Sequence, residues 1–430
     1  MTFPTSLRDL AEALAEGQIS PDDAVEDALD RIAATDPAIR AWVTVDTSGA
    51  ARQASELQRT AARKGPLWGV PVAIKDLIDV EGLPTRCGSP LRGAEPATAD
   101  AGCVGLLRAA GAIIIGKTVT TEFGYFAPGA TRNPVNTAHT PGGSSSGSAA
   151  AVAAGHVQLA LGTQTAGSLT RPASYCGVAG FVAAKGQFPT SGITGLSPTL
   201  DSLGLLTRTV KDLKYAWEAL NGLGAAEPAA QAVPVHLLHW DGSGLGEISS
   251  AMAGALSTAV SLLAQVPDFQ LSDWPHNDLV VRLTEQHGTI MAKEAATERS
   301  GELEQLNGIS APFAELLTFG RSVQDPDYKE ALDGTTAARH TVLALLERFD
   351  AVLGPAALGA APAGIHATGS PVLSRPWQAL GLPVITIPGL HDAEGLPLGL
   401  QLIGAPGREE RLFDIGARIE EALRHRNVTN

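Results

Sequence analysis

Cysteine is scarce in this chain. Three in 430 residues, Cys87, Cys103 and Cys176, make an odd and sparse set. That excludes a disulfide framework and fits a reducing compartment. Basic residues are few as well. Lys plus Arg number 31 against 45 Asp plus Glu, for a net charge of −14 and a pI near 5.2. This excludes a protein whose main task is to grip a phosphate backbone, so no nucleic-acid partner is expected. An anionic small molecule fits only where local charge opposes the global field. Long apolar runs are missing too. The most apolar stretch, 149–162, is interrupted by Gly155, His156 and Gln158 and is too short to span a bilayer. Met1-Thr2-Phe3-Pro4 has neither the basic nor the apolar region of a signal peptide. The expectation is a cytoplasmic protein with no membrane partner, in which Asn427-Val428-Thr429 has no meaning as a glycosylation acceptor. No linker or internal repeat interrupts the chain. His236 and His239 stand three apart on a β-like run, but no Cys or acidic cluster supports them, so no metal is expected.

What is present is a core-forming composition. The chain is 44% apolar, enough for one large core or two ordinary ones, and its 47 Gly and 28 Pro follow no collagen period. The first 65 residues read as helices. Ser6 caps one carrying Leu7, Leu10 and Leu14, and Ser20-Pro21 opens a second with Asp22 and Asp23 at its positive end. A third amphipathic stretch runs from Ser48 to Arg63. Apolar strands are predicted at 70–74, 112–115, 157–161 and 178–181, and helices at 101–110, 148–154 and 209–220. The region 221–347 reads as mostly helical after a strand at 235–238. Strands return at 351–353, 384–387 and 398–403, before a last helix from Glu409. Helices interleaved with apolar strands indicate an α/β sheet covered on both faces. Strands at both ends of the chain indicate a single domain over 1–430. Its parts are an N-terminal helical segment (1–65), a core (66–220), a helical region (221–347) and C-terminal strands with a helix (348–430).

Two motifs mislead. Gly111 to Thr118 matches the P-loop pattern G-x-x-x-x-G-K-T letter for letter. A P-loop wraps its N–H groups around phosphate in a flexible turn after a strand. Here Ile113-Ile114-Ile115 is itself a strand, so the match is rejected. Gly143-Ser144-Ser145-Ser146-Gly147 matches the G-x-S-x-G nucleophile elbow, which would make Ser145 the nucleophile of an α/β-hydrolase. That fold needs an apolar strand entering the elbow, and 138–142 is no strand. Nothing selects among His366, His391 and His425 as its base. No lysine has Ser three positions earlier, which excludes the Ser-x-x-K arrangement of serine β-lactamases.

A stronger constellation spans three segments. Gly69-Val-Pro-Val-Ala-Ile-Lys75-Asp76 ends an apolar strand on a lysine, a residue rarely buried. Thr140-Pro-Gly-Gly-Ser-Ser-Ser-Gly-Ser148 lies in a long stretch of turn-forming residues (124–147), too long for an idle connection. Gly162-Thr-Gln-Thr-Ala-Gly-Ser168-Leu-Thr-Arg171-Pro follows a strand and offers successive backbone N–H groups, an arrangement suited to an oxyanion. Ser168 follows Ser144 by 24 positions, and Ser144 follows Lys75 by 69.

Together these segments resemble the amidase signature family of serine amide hydrolases. The resemblance runs nearly the length of the chain, through Gly116-Lys117-Thr118, Thr131-Arg132-Asn133-Pro134 and Gly395 to Gly404. It implies a large mixed central β-sheet covered by helices on both faces. It also implies a catalytic triad of Ser168 as nucleophile, Ser144 as bridge after a cis Gly143–Ser144 bond, and Lys75 as base. Backbone N–H groups among Thr165, Ala166, Gly167 and Ser168 would form the oxyanion hole. Tyr125, Phe126 and Trp377 are candidate pocket walls from their places in family-like segments. Neutral Lys75 would take the Ser168 proton through Ser144, and burial would supply the low pKa this needs. An acyl-enzyme would form, and no cofactor is required. Ser145, Ser146 and Ser148 read as turn and cap hydroxyls, and Cys176 as a packing residue.

This chain departs from the family's common reading in having Gln164 for an acid, Ala166 for a glycine and Thr170 for an arginine. Acid and arginine have gone together, as if one ion pair were lost. Phe181-Val-Ala-Ala-Lys185 stands where Lys-Pro-Thr is usual, so the entrance beyond the nucleophile is expected to differ. Arg171, three past the nucleophile, resembles the malonamidase-type branch and would bind a substrate carboxylate; pairing with protein groups is the alternative. The expected substrate is a small-molecule amide or carbamate. Other readings are anilide or ester hydrolysis, an inactive binding protein and one subunit of an amidotransferase. A homodimer is left open.

Overall fold

Alternation along the strands sorts their side chains between two apolar clusters. Val72 and Ile74 join one, with Ile114, Leu159, Leu161, Leu203 and Leu205. Ala73 joins the other, with Ile113, Ile115, Ala160 and Leu206. A period of two in buried strands places these sets on opposite faces of one sheet. The computed structural model describes residues 3–59, 65–223 and 234–429, with side chains described to 424. His425's side chain and Met1, Thr2 and Arg63 lie outside the described residues.

The sheet has 11 strands: β1 (Trp42–Val45), β2 (Pro71–Lys75), β3 (Ile113–Thr118), β4 (Leu159–Gln164), β5 (Ala179–Val182), β6 (Ser202–Thr207), β7 (Val235–His239), β8 (Phe269–Asp273), β9 (Ala351–Pro355), β10 (Val384–His391) and β11 (Pro397–Ile403). Their order is β1-β3-β2-β4-β6-β5-β10-β11-β9-β7-β8. It is a mixed sheet. β2 pairs in parallel with β3 and β4, β4 pairs antiparallel with β6, and β7 pairs in parallel with β8 and β9. Helices Leu7–Glu16, Gly102–Ala109, Val210–Leu220 and Ser250–Leu263 contribute to the first apolar cluster, and helices Pro21–Ile39, Ser146–Ala153, Thr170–Cys176 and Asp325–Leu346 to the second. Burying each Leu, Ile or Val stabilises by about 1.5–3 kcal/mol, so these two seams dominate the favourable side of folding.

Most predicted elements are present. Ser6 and Ser20 cap the first two helices, the second in a capping box with Asp23. Several boundaries and elements differ. The first 65 residues are not all helical, since β1 forms the sheet's edge. The third helix spans Thr47–Arg59, and 60–64 lie outside the described residues. β6 and β8 were not foreseen. β6 is a fully buried Ser-Leu-Gly-Leu-Leu-Thr run without alternation, and β8 is a partly exposed edge strand with too few apolar residues for a pattern. The strand expected at 157–161 is displaced to 159–164, which carries Thr163 to the end of the sheet. Among the described residues no helix is long and apolar enough to cross a membrane.

Candidate active site

Two fully buried lysines stand on adjacent strands with different surroundings. Lys117 on β3 pairs with Asp76 at 3.0 Å and donates to Thr85 Oγ1 at 2.9 Å. This is the lysine of the false P-loop, and it lies inside a strand. Lys75 ends β2, 0% exposed, with no carboxylate in ion-pair reach among the described residues. Its Nζ donates to Ser144 Oγ at 2.7 Å, to Thr163 Oγ1 at 2.8 Å and to the Thr163 carbonyl at 3.4 Å. Burial of this unpaired ammonium lowers its pKa from 10.5 to about 7, against the opposing negative charge of Asp201. Near neutrality, then, a large share of Lys75 is free amine able to accept a proton.

The serine-rich turn divides into one hydroxyl facing the site and several holding the framework. Gly143–Ser144 is cis, as the resemblance implied. Ser144 contacts Lys75 and borders both cavities described below. Ser145 is fully buried; its Oγ donates to the Thr163 carbonyl at 3.2 Å and accepts from the Thr163 N–H at 3.3 Å. No strand enters this turn, so the elbow reading of Ser145 finds no support. Ser148 Oγ donates to the Leu161 carbonyl at 2.9 Å and pairs with Thr118 Oγ1 at 2.7 Å, pinning helix Ser146–Ala153 to β3 and β4.

Ser168 lies in the turn between β4 and helix Thr170–Cys176. Its carbonyl accepts from the Ser145 N–H at 2.9 Å, which ties the two serine segments together. Its hydroxyl makes no hydrogen bond among the described residues, so the contact with Ser144 is not formed in this state. In enzymes, contacts between reacting groups often close only with substrate bound. The N–H groups of Thr165, Ala166, Gly167 and Ser168 likewise meet no acceptor among the described residues. Gln164 shapes this turn. Its Oε1 accepts from the N–H groups of Leu169 and Thr170, each at 3.0 Å, and its Nε2 donates to Gln378 Oε1 at 3.1 Å. A neutral amide thus closes the turn where an acid was expected from the resemblance.

Thr165 is held at both ends. Its Oγ1 donates to Asp201 Oδ1 at 2.5 Å, and its carbonyl accepts from His287 Nε2 at 2.7 Å. Burial pushes His287 down to about 3, so the ring is neutral and its proton sits on Nε2.

Two cavities meet at Ser144, sharing Gly124, Thr165 and Leu196 in their walls. The smaller contains Ser168, Tyr125, Phe126, Arg171 and Arg375. The larger, about 220 Å³, contains Thr163, Lys185, Asp201, Glu298 and Arg299. Tyr125 and Phe126 therefore do line the site, packed edge to face at 4.8 Å. Trp377 does not. It is 0% exposed in the core, T-shaped against Trp240 at 5.4 Å and Trp274 at 5.5 Å. Its expected place as a pocket wall is corrected to a core aromatic, because its ring is enclosed in the second apolar cluster with Trp240 and Trp274 and borders neither cavity. Arg171 Nη2 donates to the Gly143 carbonyl at 2.6 Å and to Thr368 Oγ1 at 3.3 Å, while its buried Nε and Nη1 have no partner. Burial lowers its pKa to about 10, and Arg375 adds to this. Arg375 Nε is likewise buried and unpartnered.

Thr163, Asp201, His287, Arg375 and Gln378 were not recognised from sequence. Only Thr163 carried a signal, its place in the third segment. The others reach the site by tertiary register.

Comparison with known proteins finds relatives over nearly the whole chain. A family model, Amidase, matches residues 23–243. A glutamyl-tRNA(Gln) amidotransferase subunit of Roseiflexus sp. (strain RS-1) is 32% identical over 472 residues, covering 96% of this chain and 95% of its own. A solved chain from work on a vestigial protein complex and the evolutionary origins of an s-triazine catabolic enzyme aligns with a TM-score of 0.86 at 28% identity, covering 97% of this chain and 98% of that one. 6-Aminohexanoate cyclic dimer hydrolase complexed with substrate aligns with a TM-score of 0.84 at 25% identity, covering 97% of both chains.

Proposed function

The chain belongs to the amidase family, and from that premise we propose that it hydrolyses amide C–N bonds through an acyl-enzyme on Ser168, with Lys75 as base and Ser144 as proton relay. The observation that carries this reading is Lys75: buried, without a carboxylate in ion-pair reach among the described residues, its amine 2.7 Å from Ser144 Oγ, and its pKa pushed down to about 7 by that burial.

The cycle balances in protons. Ser168 Oγ attacks the amide carbon as its proton passes to Ser144, whose own proton passes to the Lys75 amine. The N–H groups of 165–168 take the developing oxyanion. When the C–N bond breaks, the proton returns through Ser144 to the leaving amine. Water then repeats the sequence on the ester, releasing the acid and restoring Ser168. No electrons are exchanged, and no cofactor is called for. Carbamates, anilides and simple esters can follow the same route.

We further place the acyl portion in the smaller cavity, where a substrate carboxylate would meet Arg171 and Arg375. Their unpartnered guanidinium nitrogens support this, since a buried donor gains most from a charged acceptor. We read the chain as one domain, because strands from residue 42 to residue 403 share one sheet.

A second reading is a role within an amidotransferase, favoured by the identity with glutamyl-tRNA(Gln) amidotransferase subunits. Co-purification with a second chain, and amide cleavage only in its presence, would select it. The primary reading is tested by a fluorophosphonate probe followed by peptide mapping. Label is expected on Ser168, abolished in a folded Ser168→Ala and retained in Ser145→Ala. Ser168→Ala should lower amide turnover by on the order of 10⁴-fold or more. Label on Ser145 instead, or none on a folded protein, would overturn the assignment.

A further inference from the structure

Three neighbouring strand ends hold the groups that act on the proposed base. Lys75 ends β2. Beside it β4 ends with Thr163 and Gln164, followed by Thr165. Beside β4, β6 begins at Ser202, immediately after Asp201. The antiparallel register Thr163↔Leu203 and Gln164↔Ser202 brings Asp201 opposite Thr165. The two side chains meet there, with the Thr165 hydroxyl donating to Asp201 Oδ1 at 2.5 Å. Asp201 Oδ2 accepts the N–H groups of Leu196 at 2.8 Å and Ser197 at 2.9 Å. All three contacts donate to the carboxyl, the pattern of a carboxylate; burial pushes its pKa up, and these three donors, with the charge of Lys185, oppose that rise. Asp201 also borders the larger cavity with Thr163 and Ser144, the two residues that touch Lys75 Nζ.

We propose that Asp201 is a positioning residue of the reaction, acting through the Thr165 hydroxyl on the N–H nest and through its charge on Lys75. The inference rests on the assignment of Lys75 as base. Thr165 is the first residue of the nest, and its carbonyl is already fixed by His287 at 2.7 Å. With the hydroxyl fixed by Asp201, the peptide units that follow are held from two sides. A misplacement of about 1 Å in such donors costs on the order of 10²-fold in rate.

The electrostatic part has a definite sign. A negative charge near Lys75 favours its ammonium form and so opposes burial. The other charged groups of this region have partners of their own or border the cavities, and Asp201 is the charge that acts on Lys75. Asp76, next in the chain, points to the opposite face and pairs with Lys117 at 3.0 Å. Lys185 donates to the main-chain carbonyls of Pro198 and Asp201. Glu294 accepts from Ser197, Thr199 and Tyr328. Glu298 and Arg299 border the larger cavity, Arg171 and Arg375 the smaller one, and His287 is neutral. Burial thus lowers the pH at which the amine becomes free, and Asp201 is the carboxylate whose charge opposes that fall.

The test needs no knowledge of the substrate. The rate of Ser168 labelling by a fluorophosphonate is measured against pH for the wild type, Asp201→Asn, Thr165→Val and Thr165→Ser. Asp201→Asn is expected to move the ascending limb to lower pH and to reduce the limiting labelling rate by about tenfold to a hundredfold, with probe affinity changed less than about threefold. Thr165→Val should show the rate loss with the limb unmoved, and Thr165→Ser should restore most of the rate. A folded Asp201→Asn whose limb and limiting rate match the wild type, or whose limb moves to higher pH, overturns the proposal. If Asp201→Asn does not fold, the Thr165 pair decides: Val equal to wild type, or Ser as impaired as Val, also overturns it. Failure of the wild type to label at Ser168 would instead remove the assignment on which the inference rests.

Discussion

At the scale of single residues, identity matters less than whether a polar group has a partner. Ser144, Ser145, Ser146 and Ser148 are chemically alike and close in sequence, yet Ser145 and Ser148 commit their hydroxyls to β3 and β4. Lys75 and Lys117 differ in the same way. Arg171 combines both conditions: one nitrogen holds the Gly143 carbonyl and two are unengaged. Arg171→Met should therefore weaken turnover of every substrate to some degree. If the guanidinium also binds a carboxylate, KM for an anionic substrate should rise on the order of tenfold or more beyond the change for its neutral analogue. Equal losses for the two substrates would assign Arg171 to the framework alone.

At the scale of elements, those around the three candidate segments were readable because their signals are local. An apolar run ending in Lys75, a Pro-Gly-Gly-Ser turn and a small-residue stretch after a strand each declare themselves within ten residues. Asp201, His287 and Gln378 did not, because their roles depend on pairings across 36, 122 and 214 positions. β6 was unrecognised as a strand, so the register that delivers Asp201 was not available. Trp377 was misplaced because an aromatic in a family-like segment says nothing about which side of its helix faces the site. Close approach of elements yields a prediction of its own. A Cβ at Gly147 would lie 2.2 Å from the Ala41 carbonyl oxygen and 2.4 Å from the Val119 nitrogen, both backbone atoms. Gly147→Ala should destabilise by about 1–3 kcal/mol or more and disturb the Ser144 turn. Gly254, within helix Ser250–Leu263, has open space around its Cβ position. Gly254→Ala should stabilise by about 0.5–1 kcal/mol. Thermal unfolding of both variants checks the opposite signs.

At the scale of the whole molecule, the proposed base is held at a cost to stability. The folded protein depresses the Lys75 pKa from 10.5 to about 7, so between these values the unfolded chain binds more protons. Stability from this group therefore rises with pH from about 7 towards 10.5, and its penalty is full below 7. At about 1.4 kcal/mol per unit, the penalty near neutrality is several kcal/mol. Lys75→Met, similar in shape and without charge, should unfold at higher temperature than the wild type at pH 6–7, with the gap narrowing as pH rises, while losing activity. A variant no more stable than the wild type at pH 6 would mean that Lys75 is better solvated than its burial implies.

The most direct measurement of the central claim is the pH dependence of Ser168 acylation, by probe or by amide substrate, in the wild type and in Lys75→Ala. With Lys75 as base, the rate should rise with one ionisation near pH 7, and Lys75→Ala should lose both that limb and nearly all of the rate. A limb near pH 7 that survives in Lys75→Ala and disappears on replacing a histidine would contradict it.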